Sequence, residues 1–451
     1  MHVYDDAVAA LVRELLRMSQ ERLEMAAPLD TTRTPEDLLS EAGQTITPAG
    51  MGGDAARLWE ETLGPACLSV DHPRYLSFIP GAPSKAAAAF DMLVGASSVY
   101  AGSWLEGSGT VFAENQALRW VADLVGLPAE AGGVFVQGGT IGNLSALVAA
   151  RSAAQHRRGS RPPRWAVLLT DETHSSVKHA LESVMDVDVV LLPGDRRGRL
   201  TGDVVRAWVA GATQEQRDAV FAIVGTAGTT NLGVVDDLAG LADVAEEHGW
   251  WFHVDGAYGG AGLAAPSVRS LFAGVERADS FIVDPHKWLF APYDCCALLY
   301  RDPVLARAAH TQRAGYLDPV TVEGEWNPSD FAIQLTRRGR GLPFWFSLAV
   351  NGTDAYVAAV ERTLEVTRAG RDLIEKAPHL RLLVEPDLSV LIFERIGWGE
   401  AEYDAWSKRL LADQFAFVTP TKHHGQVCTR FAIVNPQTTA DDLAAIIATM
   451  E

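Results

Sequence analysis

The sequence predicts an α/β protein: a mainly parallel sheet with helices on both faces, followed by a small α/β domain at the C-terminal end. Three observations predict it. From residue 111 to residue 300, short apolar runs alternate with helical stretches, the pattern of successive strand–helix–strand units. One run, Trp250-Trp251-Phe252-His253-Val254, ends in a single carboxylate, Asp255, followed by small residues. A carboxylate at the carboxyl end of a buried parallel strand lies where open α/β sheets bind ligands. A third signal is Ser280 to Val283, a buried-strand run leading into Asp284-Pro285-His286-Lys287-Trp288, where the proline disfavours helix at Asp284 and forces an extended turn.

Composition narrows the classes. A chain of 451 residues supports two or three packed units with ample burial. Its 48% hydrophobic and 21% charged residues are ordinary for a globular protein. A net charge of −19 argues against a nucleic-acid partner, since phosphate binding needs a concentrated basic surface. Cys67, Cys295, Cys296 and Cys428 form no CxxC pair, so buried free thiols are expected and a structural metal site is not. The chain opens without a basic segment and apolar core, and no apolar run reaches the roughly 18 residues of a membrane span. A cytoplasmic protein with no membrane partner is the expectation.

In order, Val3 to Glu24 carries Val8, Leu11, Val12, Leu15 and Met18 at helical spacing, an amphipathic helix without an evident core of its own. Thr31 to Pro48 is polar and turn-rich and reads as connection. His72 to Gly81 is a proline-bounded segment carrying Tyr75 and Phe78. A helix from Val111 to Leu127 precedes a strand at Val134–Gln137. Gly138-Gly139-Thr140 then turns into a helix from Asn143 to Arg157. Such a turn presents backbone N–H groups and a positive helix end to a phosphate, or is mere topology. Strands follow at Trp165–Thr170 and Ala219–Gly225, a crossover helix at Asp236–His248, then the strand of Asp255 and a strand at Cys295–Tyr300. His310 to Asp330 is irregular, with several glycine and proline breakers. A long helical stretch runs to about Ala377. Strands at Arg381–Val384, Ser389–Glu394 and Cys428–Val434 then alternate with helices at Glu402–Leu411 and Ala440–Met450.

The chemistry concentrates on two side chains. Lys287 stands between an imidazole and an indole, crowding that disfavours the ammonium and lowers the amine pKa, as a Schiff-base lysine requires; a structural lysine is the alternative. Asp255, 32 residues earlier, suits a neighbouring strand. A pyridoxal phosphate enzyme needs a lysine for the cofactor aldehyde and an acid to keep the pyridine nitrogen protonated. The alternative for Asp255 is a cap on the next helix.

His253-Val254-Asp255-Gly256-Ala257-Tyr258-Gly259-Gly260, followed by Ala278-Asp279-Ser280 and Asp284-Pro285-His286-Lys287-Trp288-Leu289, resembles the group II pyridoxal-phosphate-dependent amino-acid decarboxylases, which include the aromatic amino-acid, histidine and glutamate decarboxylases. The resemblance runs from about His72 to Phe346, with a looser tail. It implies the aspartate aminotransferase type I fold with a seven-stranded sheet in the large domain. The implied division is an N-terminal helical segment, 1–75, packing in a homodimer with shared active sites; a large cofactor-binding domain, 76–343; and a small domain, 344–451. It implies decarboxylation of an L-amino acid, with aromatic amino acids among the candidate substrates, to the amine and carbon dioxide, with Lys287 as the Schiff-base lysine and Asp255 at the ring nitrogen. His174 of Asp171-Glu172-Thr173-His174-Ser175-Ser176 would stack on the ring, close to the substrate carboxylate, and Ala257 would pack on the opposite face. Gly139, Thr140 and His286 would secure the phosphate. Thr229, with Thr226 next, would contact the ring edge. Phe78, Ile79 and Gly81 would line the substrate pocket, with core filling as the other reading of these aromatics.

This chain departs from the family in several places. Gly81 replaces a threonine, Gly256 an alanine and Asp284 an asparagine. Relatives carry a loop tyrosine that protonates the product carbanion. At the family's spacing before Arg337 this chain has Pro328, with Trp326 nearby and Tyr316 farther upstream. The expectation is slow decarboxylation, open to a side reaction with oxygen that yields a carbonyl product, with His174 or Tyr316 as the remaining proton sources. A different pyridoxal phosphate reaction is the rival reading: aminotransfer, carbon–sulfur cleavage, or decarboxylation coupled to oxidation.

Overall fold

The computed structural model describes residues 2–315 and 324–451. Seven strands make its large sheet: β1 Gly132–Val136, β2 Ala166–Thr170, β3 Asp188–Leu192, β4 Val220–Thr226, β5 Trp251–Asp255, β6 Ser280–Val283 and β7 Cys296–Tyr300. Their spatial order is β1-β7-β6-β5-β4-β2-β3. From β6 across to β3 every pairing is parallel, and β7 runs antiparallel to both β6 and β1. The expected mainly parallel, seven-stranded sheet is the one observed. Its central strands are buried on both faces, which is why they read as nearly continuous apolar runs.

Alternation along β5 divides the interior. Phe252 and Val254 face one core, built with the helices Trp104–Val125 and Leu238–His248; Trp251 faces a second core under the helix Gly139–Arg158. The register pairs Thr226 with Asp255 and Asp255 with Ile282, so Asp255 stands at the carboxyl ends of three adjacent parallel strands. A buried pair, Arg337 with Glu114 at 2.8 Å, fastens the chain beyond the irregular segment to the helix Trp104–Val125.

The C-terminal sheet is antiparallel, in the order β10-β11-β9-β8, from β8 Leu380–Val384, β9 Val390–Arg395, β10 Pro420–His423 and β11 Gln426–Ala432. β10 was not expected. It closes a hairpin through His424-Gly425, both at positive φ, the backbone a two-residue turn requires.

Other differences are local. Thr31 to Pro48 is not all connection: Pro35–Ala42 is helical, capped reciprocally by Thr34 and Asp37. The strand β3 and the helix Lys85–Ser97 also went unpredicted. The helical stretch after Phe346 breaks at Gly352, where φ is +75°. Cys67 is exposed, unlike the other three cysteines. No described helix is long and apolar enough to cross a membrane. The N-terminal helix Asp6–Glu24 buries none of its residues, although Arg17 and Arg22 pair with Glu60 and Asp71 of the same chain.

Candidate active site

A cleft of about 350 Å³ opens at the carboxyl ends of β4, β5 and β6. Asp255 lies on its floor, 4% exposed. One of its oxygens accepts from Asn143 Nδ2 at 2.9 Å and the other from the backbone N–H of Ala257 at 3.0 Å. The capping alternative is thus met only by one turn N–H.

Lys287 reaches the same cleft from the turn after β6, half-buried, its Nζ 2.9 Å from Asp284 Oδ2. This corrects the expected depression of its pKa. Burial does push the amine down, but the adjacent Asp284 carboxylate outweighs it and Lys287 is held above the ordinary lysine value. The flanking residues do not crowd it as expected, because Trp288 is buried and donates to Thr363, and His286 Nδ1 lies 2.7 Å from the Cys295 carbonyl. Asp284 itself is buried. Burial alone would raise its pKa, but Lys287 and His286 hold the carboxyl below its usual range.

Opposite these groups, Gly138 and Gly139 lead into the helix Gly139–Arg158, whose N-terminus has no side-chain cap. A Cβ on Gly139 would stand 3.1 Å from Asp284 Oδ2 and 3.3 Å from Ala257 Cβ, so a side chain there would crowd the cleft wall. The free N–H groups of that first turn, with the positive helix end, form an anion cradle.

His174, Thr140, Ala257 and His286 also line the cleft. His174 serves locally as a cap, its Nδ1 accepting from the Ser176 N–H at 3.3 Å, and still presents its ring to the cleft. Thr229 does not line it. It is fully buried, and its Oγ1 accepts from the Val234 N–H at 3.4 Å. Thr226 takes its place, with Oγ1 buried and unpartnered. Gln137 Oε1 and Asp284 Oδ1 are likewise buried without a partner in the same cleft. Three orphaned polar atoms around an amine, a carboxylate and an anion cradle fit an aldehyde-bearing, phosphorylated heterocycle such as pyridoxal phosphate.

The substrate segment is only partly as expected. Phe78 lines an outer cavity of about 560 Å³ that shares His174 and Thr230 with the cleft. Ile79 belongs to the main core, and Gly81 packs behind the lysine turn; neither reaches the cleft. Trp326 stacks on Phe331 and donates to the Gly133 carbonyl, and Pro328 is buried, both away from the cleft. Tyr316 lies outside the described residues. Asn143 and Asp284 were missed as site residues. Asn143 was legible in principle, one helical turn after the glycine pair, and Asp284 through its i,i+3 spacing to Lys287.

A sequence profile for the pyridoxal-dependent decarboxylase conserved domain matches residues 56–396. An aromatic-L-amino-acid decarboxylase of Bacillus atrophaeus is 30% identical over 389 residues, covering 84% of this chain and 80% of that protein. An L-2,4-diaminobutyrate decarboxylase of Rhizobium meliloti (strain 1021) is 30% identical over 421 residues, covering 91% and 82%. Among solved structures, Oryza sativa TDC with pyridoxal phosphate and tryptamine superposes with a TM-score of 0.89 at 24% identity, over 100% of this chain and 99% of that one.

Proposed function

Since this chain belongs to the pyridoxal-dependent decarboxylase family, and is therefore a pyridoxal-phosphate-dependent carboxy-lyase of amino acids, we propose that it converts an L-amino acid to its amine and carbon dioxide with Lys287, Asp255 and His174 as the working side chains. The observation that carries this assignment is the convergence of Lys287, Asp255 and the uncapped Gly139 helix end on one cleft. When bound, the cofactor supplies an aldehyde that condenses with amines and a protonated ring that accepts the electron pair left by carbon dioxide. Lys287 Nζ is the amine that anchors it, and Asp284 is the group that takes or returns the proton on that nitrogen. Asp255 keeps a proton on the ring nitrogen. Gly139, Thr140 and His286 hold the phosphate, Thr226 rather than Thr229 meets the ring edge, and Ala257 and His174 enclose the ring. The N-terminal helix, with its unburied apolar positions, supports a homodimer.

For the substrate side chain, Phe78 and the likeness to the Bacillus atrophaeus relative support an aromatic group. A second reading, a side chain bearing an amine, is supported by Glu172, a carboxyl group lining the outer cavity, and by the likeness to the diaminobutyrate enzyme. The test incubates the holoenzyme with aromatic amino acids and with 2,4-diaminobutyrate, in air and under argon, measuring carbon dioxide, amine, carbonyl and hydrogen peroxide together. Slow formation of amine and carbon dioxide is the expected result, with a minor carbonyl product and peroxide in air that disappear under argon. Carbonyl and peroxide as the main products in air would establish the oxidative reaction instead. Lys287→Ala should abolish turnover and covalent attachment of cofactor by borohydride; full activity in that variant would overturn the assignment.

A further inference from the structure

Beneath Asp255 runs a buried chain of hydrogen bonds that the proposed reaction has not yet used. Trp251, His253 and Asp255 alternate along β5 and so share one face of the strand. Ser280, the register partner of His253 on β6, stands beside them, and Asn143 descends from the helix above. Trp251 Nε1 lies 2.8 Å from Ser280 Oγ, Ser280 Oγ 2.8 Å from His253 Nδ1, His253 Nε2 2.7 Å from Asn143 Oδ1, and Asn143 Nδ2 2.9 Å from Asp255 Oδ2. His253 and Ser280 are 0% exposed and Asn143 1%, so the chain is shielded from bulk solvent.

The two ends fix every direction in between. An indole N–H only donates, and an ionised carboxylate only accepts. With Asn143 giving its N–H to Asp255, its carbonyl faces His253, so His253 carries its proton on Nε2. In a neutral ring Nδ1 is then bare and takes the hydroxyl proton of Ser280, whose oxygen also accepts from Trp251. Reversing any link sets donor against donor or acceptor against acceptor. Burial lowers the His253 pKa to about 4 against the opposing pull of Asp255, so the ring is neutral near pH 7 and adds no competing cation beneath the carboxylate.

We infer that His253, Asn143 and Ser280 are positioning residues for the decarboxylation, a one-way hydrogen-bond relay that holds Asp255 as an oriented anion toward the cofactor ring nitrogen. This rests on the role proposed for Asp255. A carboxylate that rotates or takes up a proton leaves the ring nitrogen unprotonated and the electron sink weakened, whereas binding of substrate, which the relay does not touch, is spared.

The experiment loads the full-length protein with cofactor labelled with ¹⁵N in the ring and reads the nitrogen resonance alongside kcat and KM. In the wild type the resonance should be that of a protonated ring. In His253→Phe and Asn143→Leu it should move toward the unprotonated position, with kcat down about 10- to 100-fold, the range lost when a partner that orients a working ligand is removed. KM should stay within about threefold, as expected when an interaction confined to the transition state is lost. His253→Gln, which keeps a donor toward Asn143, should restore most of both readouts. Ser280→Ala removes only a hydroxyl and frees the histidine tautomer, so it should show the same change in smaller measure even if His253→Phe fails to fold. A protonated resonance and unchanged kcat in Ser280→Ala and Asn143→Leu would overturn the relay. A wild type that holds no cofactor would instead overturn the site assignment beneath it.

Discussion

At the scale of single residues, charge placement sets what the cleft can do. Asp255→Ala removes a buried carboxylate whose proposed partner is the cofactor ring nitrogen. Such a loss is worth about 3–5 kcal/mol where the pair is buried, or roughly two decades or more in kcat; a rate within a few-fold of wild type would make Asp255 structural. Asp284→Asn acts on the empty protein. Asp284 is held below its usual range and Lys287 above its own, so the pair stabilises fully between the unfolded values of about 4 and about 10. That contribution is lost as pH falls through the native value of Asp284 or rises through that of Lys287. The substitution should therefore cost the cofactor-free protein about 1–3 kcal/mol at pH 7, less than for a fully buried pair because Lys287 is partly exposed. The cost should vanish in acid, where Asp284 is protonated in both states; denaturant unfolding across pH checks it. The lysine, the aspartate and the glycine pair were legible because each stands at a strand or helix end with a distinctive neighbour. The choice between the two threonines was not legible: Thr226 ends β4 and Thr229 follows three residues on, and only three-dimensional packing decides which one lines the cleft.

At the scale of elements, one tight constraint is a contact between two loops. A Cβ on Gly81 would lie 1.9 Å from the His286 carbonyl oxygen, a backbone atom that cannot turn aside. The segment carrying Phe78 thus buttresses the lysine turn, and the close approach calls for glycine at position 81. Gly81→Ala should cost about 1–3 kcal/mol through overpacking and loosen cofactor binding, read by thermal unfolding and by cofactor titration. Gly211→Ala, with nothing within 4 Å, should change neither by comparison. Strands buried on both faces were legible as apolar runs. The edge strand β3, exposed at alternate positions, and the short β10, held by its turn, lacked that signal.

At the scale of the whole molecule, the alternation of strands and helices pointed to a mainly parallel sheet, because parallel strands demand crossover helices, while the count of seven strands came with the family resemblance. The proposed homodimer rests on what stays unburied. The N-terminal helix has an apolar stripe, with Leu15 and Leu16 45% and 54% exposed, and no buried residue. Light scattering should return twice the chain mass, and deletion of residues 1–24 should shift it toward one chain with loss of activity. A single-chain mass with full activity would refute the dimer.

The ion pair between Lys287 and Asp284 also bears on chemical self-protection. A protonated amine is no nucleophile, so before cofactor arrives the one lysine in the cleft is masked against stray aldehydes and acyl donors. The chain offers its own standard, since Lys85, Lys178, Lys376, Lys408 and Lys422 are all exposed. In the cofactor-free protein at pH 7, mass spectrometry after brief acetylation should find Lys287 modified more slowly than these five. Asp284→Asn should remove the mask and raise its rate, while leaving theirs unchanged.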